Sequence, residues 1–166
     1  IQLMYDWDGE AARRSLEEAL RINPHSATAH IWYAIYLTFS ADTDSAVGHV
    51  DKALELEPLS TTVASLASMV LFFAREYGEM ISVLEKALEL DPDLAGAHGQ
   101  IASAYMHMDR WDEVPAEVAK DNNPIGALTV WAVYYAETEQ QELARLRLQE
   151  VIDSYSDVAA YQIAIV

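Results

Sequence analysis

Apolar residues along the chain recur in two alternating styles. Stretches such as TAHIWYAIYLTF, from Thr28 to Phe39, are apolar around most of a helix's circumference. Stretches such as Ser45 to Leu56 instead carry apolar residues at the i, i+3, i+4 spacing of a helix with one buried face. The two styles alternate, so the pattern predicts helices in pairs and an all-α class. Asn23-Pro24, Glu57-Pro58 and Asp91-Pro92 mark the end of each second helix. Proline excludes the αR region from the residue before it and removes a backbone donor. After the second of these stops, Ser60 or Thr61 is placed to cap the following helix.

The pattern has a fixed period. VLEKALELDPDL (Val83 to Leu94) repeats HVDKALELEPLS (His49 to Ser60) and SLEEALRINPHS (Ser15 to Ser26); Pro24, Pro58 and Pro92 stand 34 residues apart, as do Ala19, Ala53 and Ala87. Such a period means stacked supersecondary units rather than one wound core. With each shared Pro held at one late position, units begin near Ala27, Thr61 and Ala95, after a half unit that starts inside a helix. The alanines have a physical role, because closely crossing helices leave room for no more than a methyl.

These residues resemble the tetratricopeptide-repeat (TPR) family. Its small residue in the first helix is matched by Ala34, Ser68, Ala102 and Ala132, and its aromatic three positions later by Tyr105 and Tyr135, with Leu37 and Leu71 replacing it. Its small residue opening the second helix is matched by Ala12, Ala46 and Ala144. The resemblance implies a right-handed superhelix of antiparallel helix pairs, a solenoid of about five repeats treated as a single domain over 1–166. It comprises a partial repeat at 1–26, repeats at 27–60, 61–94, 95–124 and 125–156, and a partial repeat at 157–166. The match weakens after Arg110, where Val114 replaces the expected Ala, Pro115 follows and DNNP (Asp121 to Pro124) comes early, so the second helix of that unit is expected to be short, with Pro115 in its first turn. Neither end carries the polar capping face of a terminal repeat; both are expected to lie inside a repeat of something longer. YDWD (Tyr5 to Asp8), ATAHIWYAIYL (Ala27 to Leu37), LELEPLS (Leu54 to Ser60) and YQIAIV (Tyr161 to Val166) resemble more narrowly the TPR region C-terminal to output domains of bacterial adenylate cyclases, winged-helix transcriptional regulators and kinases.

Charge and composition narrow the function. A formal net charge of -17 with only ten basic residues argues against nucleic acid, which needs a clustered Lys and Arg surface, and the same sign repels anionic lipid. The longest strongly apolar stretch, Val63 to Ala74, is too short to span a bilayer, and no basic segment precedes an apolar run at the start, so a cytoplasmic location is expected. There is no cysteine, hence no disulfide or thiolate metal site. No phosphate-binding glycine loop, nucleophile elbow or paired metal-binding histidine motif is present, so no enzyme activity, cofactor or metal is expected. His30 and His98 share one place in their repeats and are expected to pack, His25 and His49 to be solvated. Trp32, Trp111 and Trp131 are expected at helix-packing positions, and Asp42, Asp44, Glu137 and Glu139 at helix ends, where acidic residues suit the dipole of the following helix.

What remains is a surface. In the TPR family the first helices line a concave groove; carried over, that groove would collect Ile31, Ile35, Phe39, Met69, Phe72, Phe73, Met106 and His107. Without Lys or Arg there, it is unlike the version of the fold that clamps acidic chaperone tails. The lining suits instead an apolar peptide or a net basic amphipathic helix from another protein. The alternatives are that these residues pack within the stack or against a segment of the same chain, that the region regulates or oligomerises an attached output domain through its truncated terminal repeats, or that an enzyme site of unfamiliar pattern is present.

Overall fold

The computed structural model describes residues 9–155; YDWD, YQIAIV and the partial repeat at 157–166 lie outside them. Among the described residues there are nine α-helices, one 3-10 turn and no strand. They are α1 (Gly9–Ile22), α2 (Ala27–Phe39), α3 (Thr43–Leu56), α4 (Thr61–Ala74), α5 (Tyr77–Leu90), α6 (Ala97–His107), the 3-10 turn Trp111–Glu113, α7 (Val114–Val118), α8 (Pro124–Glu137) and α9 (Gln141–Tyr155). Contacts divide the chain into two compact units, one ending at Pro92 and the other beginning at Asp93.

The predicted stops hold: α1, α3 and α5 end at Ile22, Leu56 and Leu90, each two residues ahead of its proline. Ser26 and Ser60 cap the helices that follow, accepting from the amides of Ala29 and Val63 at 3.2 Å each. Such a cap satisfies an amide that has no partner within the helix.

In the first unit α1 lies on α2, α2 on α3, α3 on α4 and α4 on α5, while the first helices α2 and α4 also meet directly. The residues of the period are its interior: Ala34, Ala46, Ala53, Ser68, Leu71 and Leu84 have no exposed surface, and Ala87 has 3%. Met80 stands where the other repeats open their second helix with Ala or Val, and it is buried too. Its unbranched side chain can fill an irregular gap where a branched one would clash. In the second unit α6 lies on α7 and α8, α7 on α8 and α8 on α9, and Ala102, Val114 and Ala132 are fully buried.

The turn within each pair has a feature that no glycine announces. Ala41, Arg75, Asp109 and Glu139 adopt the left-handed conformation at φ 58 to 64°, always at the same place in the repeat. In each case the next amide reaches back to a carbonyl in the last turn of the first helix: Asp42 to Leu37 at 3.0 Å, Glu76 to Leu71 at 2.9 Å, Arg110 to Tyr105 at 2.9 Å and Gln140 to Tyr135 at 2.8 Å. This closes the helix end in the Schellman manner, at the cost of a left-handed residue that bears a Cβ.

The fourth repeat departs as expected. Its second helix is the 3-10 turn plus the five residues of α7, with Pro115 in the first turn. DNNP, however, is an organised clasp. Asn122 Nδ2 donates to the Asp93 carbonyl at 2.7 Å, Asp121 Oδ1 accepts from the Asn123 amide at 3.2 Å, and Asn123 Oδ1 caps α8 through the Gly126 amide at 3.1 Å. Asp121 occupies the place that Ala53 and Ala87 hold in their repeats, and its Oδ2 takes the space a Cβ would need at Gly99 on α6. That oxygen is buried and has no hydrogen-bond partner among the described residues.

Candidate functional site

The groove residues fall in both units, and the structure sorts them by access. In the first unit α2 carries Ile31, Ile35 and Phe39, and α4 carries Met69, Phe72 and Phe73. Ile31 and Ile35 are 1% and 4% exposed and belong to the core, so they offer no surface in this conformation. Met69 and Phe72 are half-buried. Phe39 is 70% exposed and Phe73 56%, each at the C-terminal end of its helix. Phe72 meets Phe73 and Tyr77 edge to face, with ring centroids 5.8 Å apart in both cases, an arrangement that favours one geometry over a loose cluster. In the second unit Met106 is half-buried and His107 exposed, both at the end of α6.

Two histidines that share a place in the repeat make different bonds. His30 Nε2 sits 3.0 Å from the Pro24 carbonyl and its Nδ1 2.8 Å from Nδ1 of His49 on α3. The carbonyl can only accept, so Nε2 donates; Nδ1 of a neutral His30 then accepts from His49. His49 is thus not solvated, contrary to the expectation from sequence. It is half-buried, its ring edge on Tyr33 at 4.8 Å, and burial followed by the neighbouring His30 lowers its pKa. Tyr33 in turn donates to Glu17 at 3.2 Å, and burial together with that carboxylate raises its pKa. In the fourth repeat His98 Nδ1 instead lies 2.5 Å from Glu117, whose other oxygen accepts from Lys120 at 2.8 Å. Burial raises the pKa of Glu117, but the bonds from Lys120 and His98 outweigh it and leave the net shift downward.

Trp111 and Trp131 pack as expected, Trp131 stacked on Tyr135 at 5.3 Å and Trp111 tilted on Tyr134 at 6.5 Å. Trp32 does not, being 43% exposed on α2. The all-round apolar pattern of α2 hides which side meets solvent, so periodicity could not have found it. Asp42 caps α3, accepting from the Ser45 amide at 3.3 Å. Among the described residues no group of three or more His, Asp or Glu could hold a metal ion, and no helix is long and apolar enough to cross a membrane.

A family model described as tetratricopeptide repeat matches residues 65–94. No curated protein matches the sequence. Among solved structures, TTC0263, a thermophilic TPR protein of Thermus thermophilus, superposes with a TM-score of 0.78 at 17% identity, covering 98% of this chain and 91% of that one. A crystal structure of MamA gives 0.72 at 17% identity, covering 94% of each chain. YrrB, described as a TPR protein with an unusual peptide-binding site, gives 0.64 at 21% identity, covering 94% of this chain and 82% of that one. Identities this low speak to the fold alone, and they agree with the repeat matched at 65–94 and with the buried small residues of the pairs: the chain has the fold of tetratricopeptide-repeat proteins.

Proposed function

We propose that this protein is a non-catalytic protein-interaction module that receives an apolar face of a partner peptide or helix on the first helices of its first unit. The observation that carries this reading is the pair Phe39 and Phe73, equivalent residues of two helices that meet directly, left 70% and 56% exposed. Two large aromatic rings facing water on neighbouring helices are costly unless something covers them, at about 25 cal/mol per Å² of apolar area. The partner would be amphipathic with basic flanks, because a chain of net charge -17 attracts positive charge and speeds its encounter. That YrrB is described as having a peptide-binding site supports the reading by likeness of fold. Met106 and His107 are the matching residues of the second unit.

The test is selection of helical peptides against the whole chain from a displayed library, followed by binding isotherms. Phe39→Glu and Phe73→Glu are expected to weaken the selected peptides at least about tenfold each, as for loss of an interface anchor, with little change in melting because both residues are exposed. Raised salt should slow association rather than speed dissociation. Peptides that bind both variants as tightly as the parent would remove the groove from this reading.

A further inference from the structure

The place in the repeat occupied by His30 and His98 is held by Ala64 in the third repeat. The two histidines bridge to the second helix of their own pair, at His49 and Glu117, nineteen residues on in both cases. The corresponding partner of Ala64 is Val83, which offers nothing to hydrogen-bond and is too short to fill the space between. A cavity of about 130 Å³ results, lined mostly by the apolar Leu54, Pro58, Ala64, Val83, Ala87 and Leu90, with Ser60 and Thr61 also on its wall. An engineered apolar cavity of about 150 Å³ is known to accept benzene, so this one is of the size of an aromatic ring. It reaches the surface, where Leu90 is 49% exposed and Leu59, next to Pro58, is 75% exposed.

Lys86 stands at the same opening. Its equivalents, Lys52 and Lys120, are neutralised by Glu55 and Glu117 at 2.8 Å. Lys86 has no such close ion pair among the described residues: Val83 stands where Glu117 stands in the fourth repeat, Glu89, where Glu55 stands in the second, makes no bond to it, and Glu79 feels it only as a longer-range charge. A mostly apolar hole the size of a ring, with an ammonium that makes no close ion pair at its mouth, is complementary to an apolar side chain that carries a carboxylate beside it.

We propose that this cavity is a second binding site, separate from the groove and sharing no residue with it, that takes the C-terminal residue of a partner chain: an aromatic side chain in the hole between Ala64 and Val83, its free carboxylate on Lys86. A charge-assisted bond to the carboxylate supplies direction, and burial of the ring supplies affinity. The histidine bridge of the second repeat accounts for the difference, since there the equivalent place is taken by His30, bonded across to His49.

The probe is acetyl-Ala-Ala-Phe with a free carboxylate, titrated into the whole chain while the methyl signals of Ala64, Val83 and Ala87 are followed by NMR. Its C-terminal amide should bind at least about fivefold more weakly, and acetyl-Ala-Ala-Ala should leave the signals unmoved at about 10 mM. Lys86→Gln should bring the acid down to the level of the amide, and Ala64→Phe should abolish binding while raising the melting temperature by filling the hole. Should Ala64→Phe fold poorly, Ala64→Val, which narrows the opening by two methyls, is expected to weaken binding in the same sense. Equal binding of acid and amide, binding undiminished in both Ala64 variants, or no movement of these methyls with the acid would each overturn the proposal.

Discussion

The third and fourth repeats begin with similar first helices and then solve the same packing problem in opposite ways. In the third, the fourteen-residue α5 places Ala87 against its neighbours with 3% exposure, its methyl on the wall of the cavity beside Ala64. In the fourth, the second helix is reduced to a 3-10 turn and five residues, and the equivalent place is taken by Asp121. The larger group fits because α6 gives up a side chain at Gly99, and because DNNP holds the carboxylate from the Asn123 amide. Close approach is thus a property of the pair of facing residues and not of either one: Ala against a normal helix in one repeat, Asp against Gly in the other.

The largest effects should come from breaking that complementarity. Ala53→Leu, at the equivalent and fully buried place of the second repeat, is expected to destabilise the first unit by about 1–3 kcal/mol through overpacking. Gly99→Ala should cost the second unit about 1–2 kcal/mol, despite the better helix propensity of Ala, because the new methyl must displace a tethered carboxylate. The sharper test is the cycle: Asp121→Ala alone removes a buried oxygen without a partner but also a loop bond, whereas with Asp121→Ala already in place Gly99→Ala should become neutral or stabilising. Denaturant unfolding of the four proteins gives the coupling directly, and strict additivity would show that the two residues do not share the space assigned to them.

A smaller difference should appear at the turns. Both repeats place a left-handed residue after the first helix, Arg75 at φ 64° and Asp109 at φ 58°. Asp tolerates that region better than a long side chain does. Arg75→Gly should therefore raise stability by about 1 kcal/mol and Asp109→Gly by less, offset in both by the greater freedom of Gly when unfolded. Equal gains in thermal melts would mean that side-chain type does not matter at this turn.

The smallest effect separates the histidine of the second repeat from that of the fourth. The pKa of His49 is lowered from its ordinary 6.5 by burial and by His30, so the unfolded chain binds a proton more readily, and stability falls as the pH drops below about 6.5. Tyr33, and through it Glu17, are the other titratable groups at this contact. The pKa of Glu117 is lowered too, the bonds from Lys120 and His98 outweighing burial, but from the ordinary 4.5, so its contribution persists above that pH and is lost only as the pH falls further. Between pH 6.5 and 4.5, amide protection in α2 and α3 should decline while that in α6 and α7 holds. Parallel loss in both places would rule out the His30–His49 contact as the cause, and His49→Phe should flatten the response of α2 and α3.

The order of the helices, their stops at proline, the short second helix of the fourth repeat and the burial of the small residues were all legible in the chain, because each depends on local chemistry or on a period that the sequence itself displays. Ser60 is a cap wherever its helix lies, and Pro58 ends a helix whatever packs on it. The candidate groove was legible only in part. Ile31 and Ile35 share the apolar style of Phe39, yet a helix that is apolar on all sides does not reveal which residues its neighbours cover. The His30–His49 bond, the exchange of Ala for Asp121 against Gly99 and the hole beside Ala64 all require knowing what stands opposite a residue. Composition and spacing fix what each position contributes; which contributions meet, and how much room is left between them, was decided by the packing of helix on helix.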